Sequence, residues 1–317
     1  MATVLITGGT GFIGSYVGAA FEQDGHDVVA FDVSPGRKIL DRLGIGDAVT
    51  IRRGDVTDPT AVLRAIRETD TTHIVHLAAL LTNGAQKNPR LAQEVNIGGT
   101  NAVFEAARIC DEQIARVAWA SSAAVYAPPD RYDDWVDEDD LIYPETLYGA
   151  TKAYNEHQAR LYSSEYGCSL VGLRPTVAYG PYRETGGSAF LTELIERPAL
   201  DESFSVEYGD QIIDWQYVKD IATAFRLATL TDESDLTQAV YNVRGECATI
   251  RKAAETVESV VPDATIEVSD SGELPWTQQL DMSAIQNDMG YEPAYDLEAG
   301  ITEYVTVLRE QHGLESA

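Results

Sequence analysis

Basic charge is scarce in this 317-residue chain: 23 Lys and Arg, only 5 of them Lys, stand against 51 Asp and Glu, for a formal net charge of −28. A field of that sign repels nucleic-acid backbones and anionic membranes, so neither is expected as a partner. Cysteine is equally sparse. Cys110, Cys168 and Cys247 lie too far apart for CxxC or any metal-ligand spacing, which argues against a disulfide framework or a zinc site. They are expected to be reduced and buried, and no metal is expected. Long apolar runs are missing too, none approaching the roughly 20 residues that span a bilayer, and "MATVLITGGTG" has no basic segment ahead of its apolar run. The chain therefore reads as soluble, unexported and cytoplasmic. Internal repeats and low-complexity segments are not seen. What is present is 44% hydrophobic residues, enough to bury a core and to exclude disorder. Acidic excess with scarce lysine reads as a folded enzyme of a high-salt cytoplasm, where carboxylates keep the surface hydrated and salt screens their repulsion.

The first half alternates short apolar runs with helical patterns. Strands are expected at 2–9, 27–33, 48–55, 73–79 and 116–122, with helices at 12–25, 59–69 and 96–111 between them. Such alternation predicts a doubly wound α/β domain with a parallel sheet, and ligands then sit at the carboxyl ends of the strands. Beyond residue 150 a long helix (151–167), a sixth strand leaving the sheet (169–180) and a further strand (238–245) are expected. The predicted division is a Rossmann domain over 1–180, with 213–245 returning to it, and a smaller interleaved substrate-binding lobe from 181–212 and 246–317. The acidic "DDWVDEDD" (133–140) reads as a solvated loop.

"TGGTGFIG" (7–14) follows a predicted strand and opens a predicted helix. Gly9, Gly11 and Gly14 satisfy G-x-G-x-x-G, and Gly8, Gly11 and Gly14 give a G-x-x-G-x-x-G reading of the same loop. Glycines let the backbone approach a pyrophosphate whose charge rests on the helix N-terminus. Asp32 ends the second strand, where a carboxylate accepts the ribose hydroxyls of NAD and repels a 2′-phosphate. NAD is therefore the expected cofactor, with NADP left open by Arg37 and Lys38. Asp55, in "GDVTD" (54–58), can reach an adenine edge, while Thr57 or Asp58 can cap the helix that Pro59 opens.

Tyr148 and Lys152, in "TLYGATKAYN" (146–155), share a helical face at i and i+4. A tyrosine base working near pH 7 needs about three units of pKa depression, roughly 4 kcal/mol, and a fixed ammonium is a natural source. Ser122, ending the fifth strand, can donate to a substrate oxygen whose charge changes.

With these residues in place the chain resembles the extended short-chain dehydrogenase/reductase family, the NAD-dependent epimerase/dehydratase group. The likeness is carried by "TGGTGFIG", "GDVTD", "HLAA" (76–79), "VN" (95–96), "SSAAVY" (121–126), "YGATK" (148–152), "LRPTVAYGP" (173–181), "DWQYVKD" (214–220) and "MGYEPAYDLEAGI" (289–301). It implies a catalytic Ser122, Tyr148 and Lys152. It implies cofactor contacts from Gly8, Gly11, Phe12, Ile13, Gly14, Asp32, Asp55, Val56, Leu77, Ala78, Ala79, Asn96, Tyr148, Lys152, Pro175 and Val177. Substrate contacts are expected at Thr82, Ser122, Ala123, Tyr148 and Thr176, and a homodimer is favoured. Ser121 is expected to face the cofactor or the core, and His76 to belong to its strand.

Departures from the family pattern narrow the reaction. Sugar-nucleotide dehydratases of this group carry Thr-Asp-Glu where this chain has Ser122, Ala123 and Ala124, so water elimination lacks its acid/base pair. Epimerases show an Asn and an Arg where this chain has Val177 and Ile213, which removes groups that hold a diphosphate. Arg183, Arg244 and Arg251 remain as substitutes. The stretches 76–96 and "PWTQQLD" (275–281) look more like members that oxidise small substrates, including the threonine-dehydrogenase-like branch. The expectation is an NAD(P)-dependent dehydrogenase acting on a free sugar, sugar acid or hydroxy acid. A nucleotide-sugar 4-epimerase is the alternative, and a non-catalytic dinucleotide sensor a minor one.

Overall fold

A computed structural model describes residues 1–184, 186–276 and 279–315. Seven strands form one parallel sheet: β1 (Thr3–Thr7), β2 (Asp27–Asp32), β3 (Thr50–Arg53), β4 (His73–His76), β5 (Arg116–Ala120), β6 (Leu170–Pro175) and, after three strands outside this sheet, β10 (Val240–Val243). Their order is β10-β6-β5-β4-β1-β2-β3, so the winding reverses between β1 and β4. The carboxyl ends open there into the crevice where ligands of such sheets bind. Continuous apolar runs such as Val4, Leu5 and Ile6 are fully buried because helices cover both faces.

The helices are α1 (Phe12–Gln23), α2 (Lys38–Arg42), α3 (Pro59–Glu68), α4 (Thr82–Lys87), α5 (Pro89–Ala92), α6 (Thr100–Ile109), α7 (Leu147–Tyr166), α8 (Phe190–Ala199), α9 (Val218–Leu230), α10 (Ile250–Val260), α11 (Ser283–Met289) and α12 (Leu297–His312). Asp58, rather than Thr57, caps α3 by accepting from the Thr60 amide. Between α5 and α6 the residues Gln93–Gly99 form a π-helical turn where a continuous helix was expected. One face of the sheet packs on α1 and α9, the other on α3, α6 and α7.

The expected sixth strand is two. β6 stays in the main sheet, and β7 (Val177–Tyr179) pairs with β9 (Ile212–Tyr217), which in turn pairs antiparallel with β11 (Glu246–Thr249). A two-stranded pair of β8 (Phe204–Val206) and β12 (Ile266–Val268) completes the strands. Tyr179, Ile213, Trp215 and Tyr217 enter a second core with α8, α10 and α12. The chain therefore rejoins the main sheet at α9 and β10, while β9 belongs to the three-stranded sheet and the second core.

The acidic loop differs from its solvated reading. Val136 is buried, bridges Leu280 and exchanges backbone bonds with Gln279 and Asp281, while the Glu138 carboxylate accepts the Asn242 amide. Apolar and backbone groups hold this segment against β10 while its aspartates face water. All three cysteines are free, Cys110 buried and the other two half-buried. No helix among the described residues is long and apolar enough to cross a membrane.

Candidate active site

The glycine loop joins β1 to α1 at the reversal point. Gly8 adopts φ +67° and donates to the Phe31 carbonyl, and a Cβ at Gly14 would collide with the Gly8 carbonyl oxygen, so the first turn of α1 can lie against the loop only with glycine there. Phe12 and Ile13, half-buried, begin α1, whose N-terminus has no side-chain cap. Its amides are left for an anion.

Asp32 is held beside the loop. Its Oδ2 accepts from the Thr10 amide (3.3 Å) and hydroxyl (2.8 Å), and its Oδ1 from the Ser34 amide (3.1 Å). The cations that left NADP open are both engaged, Arg37 by Asp41 and Asp47 and Lys38 by Glu184. Asp55 accepts from the Thr57 amide at 2.9 Å and is exposed; Val56 is buried and packs on Gly99. Leu77, Ala78 and Ala79 follow β4 and stay partly exposed, with the Leu77 and Ala78 amides donating to the Thr7 hydroxyl. Asn96 is fully buried, accepting the Leu80 amide at 2.7 Å and donating to the Leu80 carbonyl and the Thr151 hydroxyl. It grips the segment after β4 rather than facing the cleft. Pro175 and Val177, both partly exposed, flank the bend from β6 to β7, where the buried Thr176 Oγ1 has no partner. These residues fit a dinucleotide: a glycine cradle that a Cβ would fill, a carboxylate beyond it and an orphan hydroxyl at the far end.

Thr146 caps α7 by accepting from the Gly149 amide at 3.0 Å, and places Tyr148 in the first turn. A Cβ at Gly149 would strike the Ala124 carbonyl, so glycine lets α7 close on the loop after β5. There the Ser122 hydroxyl accepts from the Ala124 amide at 3.1 Å and lies close enough to the Tyr148 phenol to favour its charged form. The Lys152 Nζ lies 5.6 Å from the Tyr148 ring centroid and donates to the Ala120 carbonyl at 2.6 Å. Lys152 thus lies beside Tyr148 on one face of α7, with Ser122 near the phenol. Ala123 and Thr82 are half-buried, Ala123 beside Ser122 and Thr82 opening α4 next to Gly187.

The electrostatics differ from the expected depressed tyrosine. Burial pushes the Tyr148 phenol up to about 12, against the lowering effect of the Ser122 bond. Burial also pushes Lys152 down to about 8, against the pull of Glu156. In this state the phenol holds its proton because desolvation of a phenolate outweighs the help of Ser122, and one of the three ammonium N–H groups is engaged by the Ala120 carbonyl. His76 is a strand residue, buried between the hydroxyls of Thr7 (2.7 Å) and Thr100 (2.9 Å). Ser121 bonds Glu156, which Arg174 also holds. Sequence reading missed this pair, although Glu156 continues the Tyr148–Lys152 stripe at the next i+4 position.

The substitutes for a diphosphate ligand are committed elsewhere. Arg183 donates to the Ala178 carbonyl and the Ser188 hydroxyl, Arg244 to the carbonyls of Leu280 and Gly245 while lying over Trp135, and Arg251 pairs with Asp210 and Asp270. Ile213 is 1% exposed in the second core, and Val177 packs against that core. Thr277 and Gln278 of "PWTQQLD" lie outside the described residues.

A model of the NAD-dependent epimerase/dehydratase family matches residues 4–243. UDP-glucuronate 4-epimerase 4 of Arabidopsis thaliana is 28% identical over 96% of this chain and 74% of its own length. Thermus thermophilus UDP-glucose 4-epimerase, solved in complex with NAD, is 26% identical over 97% of this chain and 99% of its own, with a TM-score of 0.81. L-threonine 3-dehydrogenase of Trypanosoma brucei, 24% identical and covering 100% of both chains, shares the fold with a TM-score of 0.87.

Proposed function

The chain belongs to the NAD-dependent epimerase/dehydratase family, and from that premise we propose that it is a dehydrogenase that oxidises a carbinol of a small, un-nucleotidylated polyhydroxylated substrate: a free sugar, a sugar acid or a hydroxy acid. The cofactor is NAD, consistent with Asp32 beside the glycine loop and with Arg37 and Lys38 both paired. The observation that carries the substrate class is the filling of the two diphosphate-holding positions by apolar Val177 and Ile213, with Arg183, Arg244 and Arg251 each engaged by groups of the chain itself. A diphosphate in this acidic molecule would need cations released from those bonds.

NAD, when bound, supplies the ring that accepts the hydride. Tyr148 takes the carbinol proton on its phenolic oxygen in oxidation and returns it in reduction. Its raised pKa favours the protonated form in the free enzyme, so oxidation draws on the nearby Lys152 ammonium to stabilise the phenolate once the single Ser122 O–H is given to the substrate. Ser122 donates to the substrate oxygen as its charge changes. Lys152 also lies on the face of α7 suited to a ribose hydroxyl.

The second reading is a nucleotide-sugar 4-epimerase, favoured by the 28% identity to UDP-glucuronate 4-epimerase 4 over 96% of the chain. The two separate in one assay: NAD with a panel of free aldoses, sugar acids and hydroxy acids in high-salt buffer, followed by absorbance of the reduced nicotinamide. Net reduction is expected. Interconversion of UDP-sugars by protein with co-purified NAD and no net reduction would overturn the dehydrogenase. Tyr148→Phe is expected to lose about 10²- to 10⁴-fold of turnover with NAD affinity retained; full turnover would sink the mechanism.

A second copy of the chain is the proposed partner. Leu147, Tyr154 and Leu161, spaced seven apart on α7, expose an apolar stripe on the surface.

A further inference from the structure

Three residues of α7 spaced four apart, Tyr148, Lys152 and Glu156, meet three consecutive residues at the end of β5, and each engages a different one. The Tyr148 phenol lies near Ser122, the Lys152 Nζ donates to the Ala120 carbonyl, and the Ser121 hydroxyl donates to Glu156 Oε1. Arg174 on β6 completes the grip on that carboxylate, Nε to Oε1 at 2.9 Å and Nη2 to Oε2 at 2.8 Å, with both side chains under a tenth exposed. Arg174 also donates to the Tyr126 hydroxyl, which donates to Asn242 Oδ1 on β10. Glu156 is thereby tied to β5 and β6 directly and to β10 through two further side chains.

We propose that Glu156 is a positioning residue for this centre: it fixes the end of β5 against α7 so that Ser122 stays beside Tyr148, and its carboxylate is the counter-charge of the Lys152 ammonium. The inference rests on the assignment of Tyr148 and Lys152 to the reaction. An ion pair that merely tethers β6 to α7 would account for the Arg174 bonds alone. It would not account for the Ser121 bond, nor for the position of the carboxylate one helical turn from an ammonium whose own hydrogen bond goes to a neutral carbonyl. Burial disfavours the charge on Lys152, and Glu156 acts in the opposite direction. The charged and titratable groups around the carboxylate are Lys152 and Tyr148 on α7, Arg174 on β6 and Tyr126 after β5. Glu138 approaches Arg174 from the acidic loop, and uncharged His76 faces Lys152 from β4.

The chain has five lysines, few enough for each side chain to be followed by carbon-13 NMR in lysine-labelled protein, with the Lys152 resonance identified by its loss in Lys152→Met. In Glu156→Gln the Lys152 titration is expected to move down by about one pH unit or more, and Glu156→Asp to restore most of the shift. A purely structural tether changes stability and leaves that titration in place. Because Glu156→Gln strands a buried Arg, the paired variant Glu156→Gln/Arg174→Met is measured alongside it; replacing both members of a buried pair is better tolerated than removing one. It is expected to show the downward shift as well. A Lys152 titration at the wild-type pH in the folded variants overturns the proposal. The readout needs no turnover, so the two failures separate. A fully active Tyr148→Phe sinks the catalytic assignment and leaves the Glu156–Lys152 coupling standing, whereas an unshifted titration beside an inactive Tyr148→Phe removes the Glu156 role alone.

Discussion

His76 shows how a polar side chain next to the site is kept uncharged. Its two ring nitrogens are both occupied by threonine hydroxyls, and burial, reinforced by Lys152, pushes its pKa from 6.5 down to about 3. Unfolded, the imidazole takes up a proton near pH 6.5; folded, it does so only near 3. Between those values the unfolded chain binds the extra proton, so the His76 contribution to stability is complete above pH 6.5 and is lost as pH falls. At about 1.4 kcal/mol per pH unit, roughly 2 kcal/mol goes between pH 6.5 and 5. Urea unfolding of wild type and His76→Gln at pH 7 and pH 5 is expected to show the wild type losing the greater stability by about that amount. An equal loss in both would mean that the imidazole is protonated in the folded state. Neutral His76 also matters to its neighbour, since a second cation there would further discharge the Lys152 ammonium.

At the scale of elements, α7 presents two stripes with different tasks. Tyr148, Lys152 and Glu156 face β5, and Leu147, Tyr154 and Leu161 face outward. Two exposed leucines and a tyrosine at seven-residue spacing on a 20-residue helix suit packing against another helix. Sedimentation of the wild type is expected to show a dimer, and Tyr154→Glu/Leu161→Glu a monomer that still binds NAD. A wild type that sediments as a monomer would remove the proposed partner. Periodicity exposed most of these elements in the sequence: β1 to β5 fall within their expected runs, and Tyr148 and Lys152 lie side by side because i and i+4 share a face. The rest was hidden for physical reasons. Arg174 sits inside an apolar strand and Glu156 on a polar helix, so neither looks unusual until the fold brings them within 2.8 Å. The break between β6 and β7 was invisible because "LRPTVAYG" reads as one apolar run; Pro175, which offers no amide to a ladder, marks where the chain changes sheets. The acidic loop misled because its aspartates dominate composition, while one apolar residue, Val136, decides where it docks.

The whole molecule carries −28, and this charge acts on the cofactor as well as on the fold. NAD brings a pyrophosphate to a molecule of its own sign, and two cations that follow Asp32 in the chain, Arg37 and Lys38, are paired with Asp41, Asp47 and Glu184, while Arg53 stands opposite Asp32 on β3. At 0.1 M salt the Debye length is about 10 Å, long enough for distant carboxylates to slow the approach; at 1 M it is about 3 Å, and only groups in contact with the dinucleotide are felt. Local attraction from the α1 N-terminus survives that screening, because it acts at hydrogen-bond distance. Salt should therefore remove the long-range repulsion while sparing most of the short-range binding. Stopped-flow NAD association is expected to quicken severalfold between about 0.1 and 1 M KCl, with the dissociation rate changing less. The same salt is expected to raise the urea midpoint, since screening also relieves repulsion among the surface carboxylates of the folded state. Association that slows as salt is added would show that the cleft attracts anions at long range despite the net charge. The engaged arginines around the substrate side would then have to contribute a local positive potential, and the case against a diphosphate substrate would weaken with it.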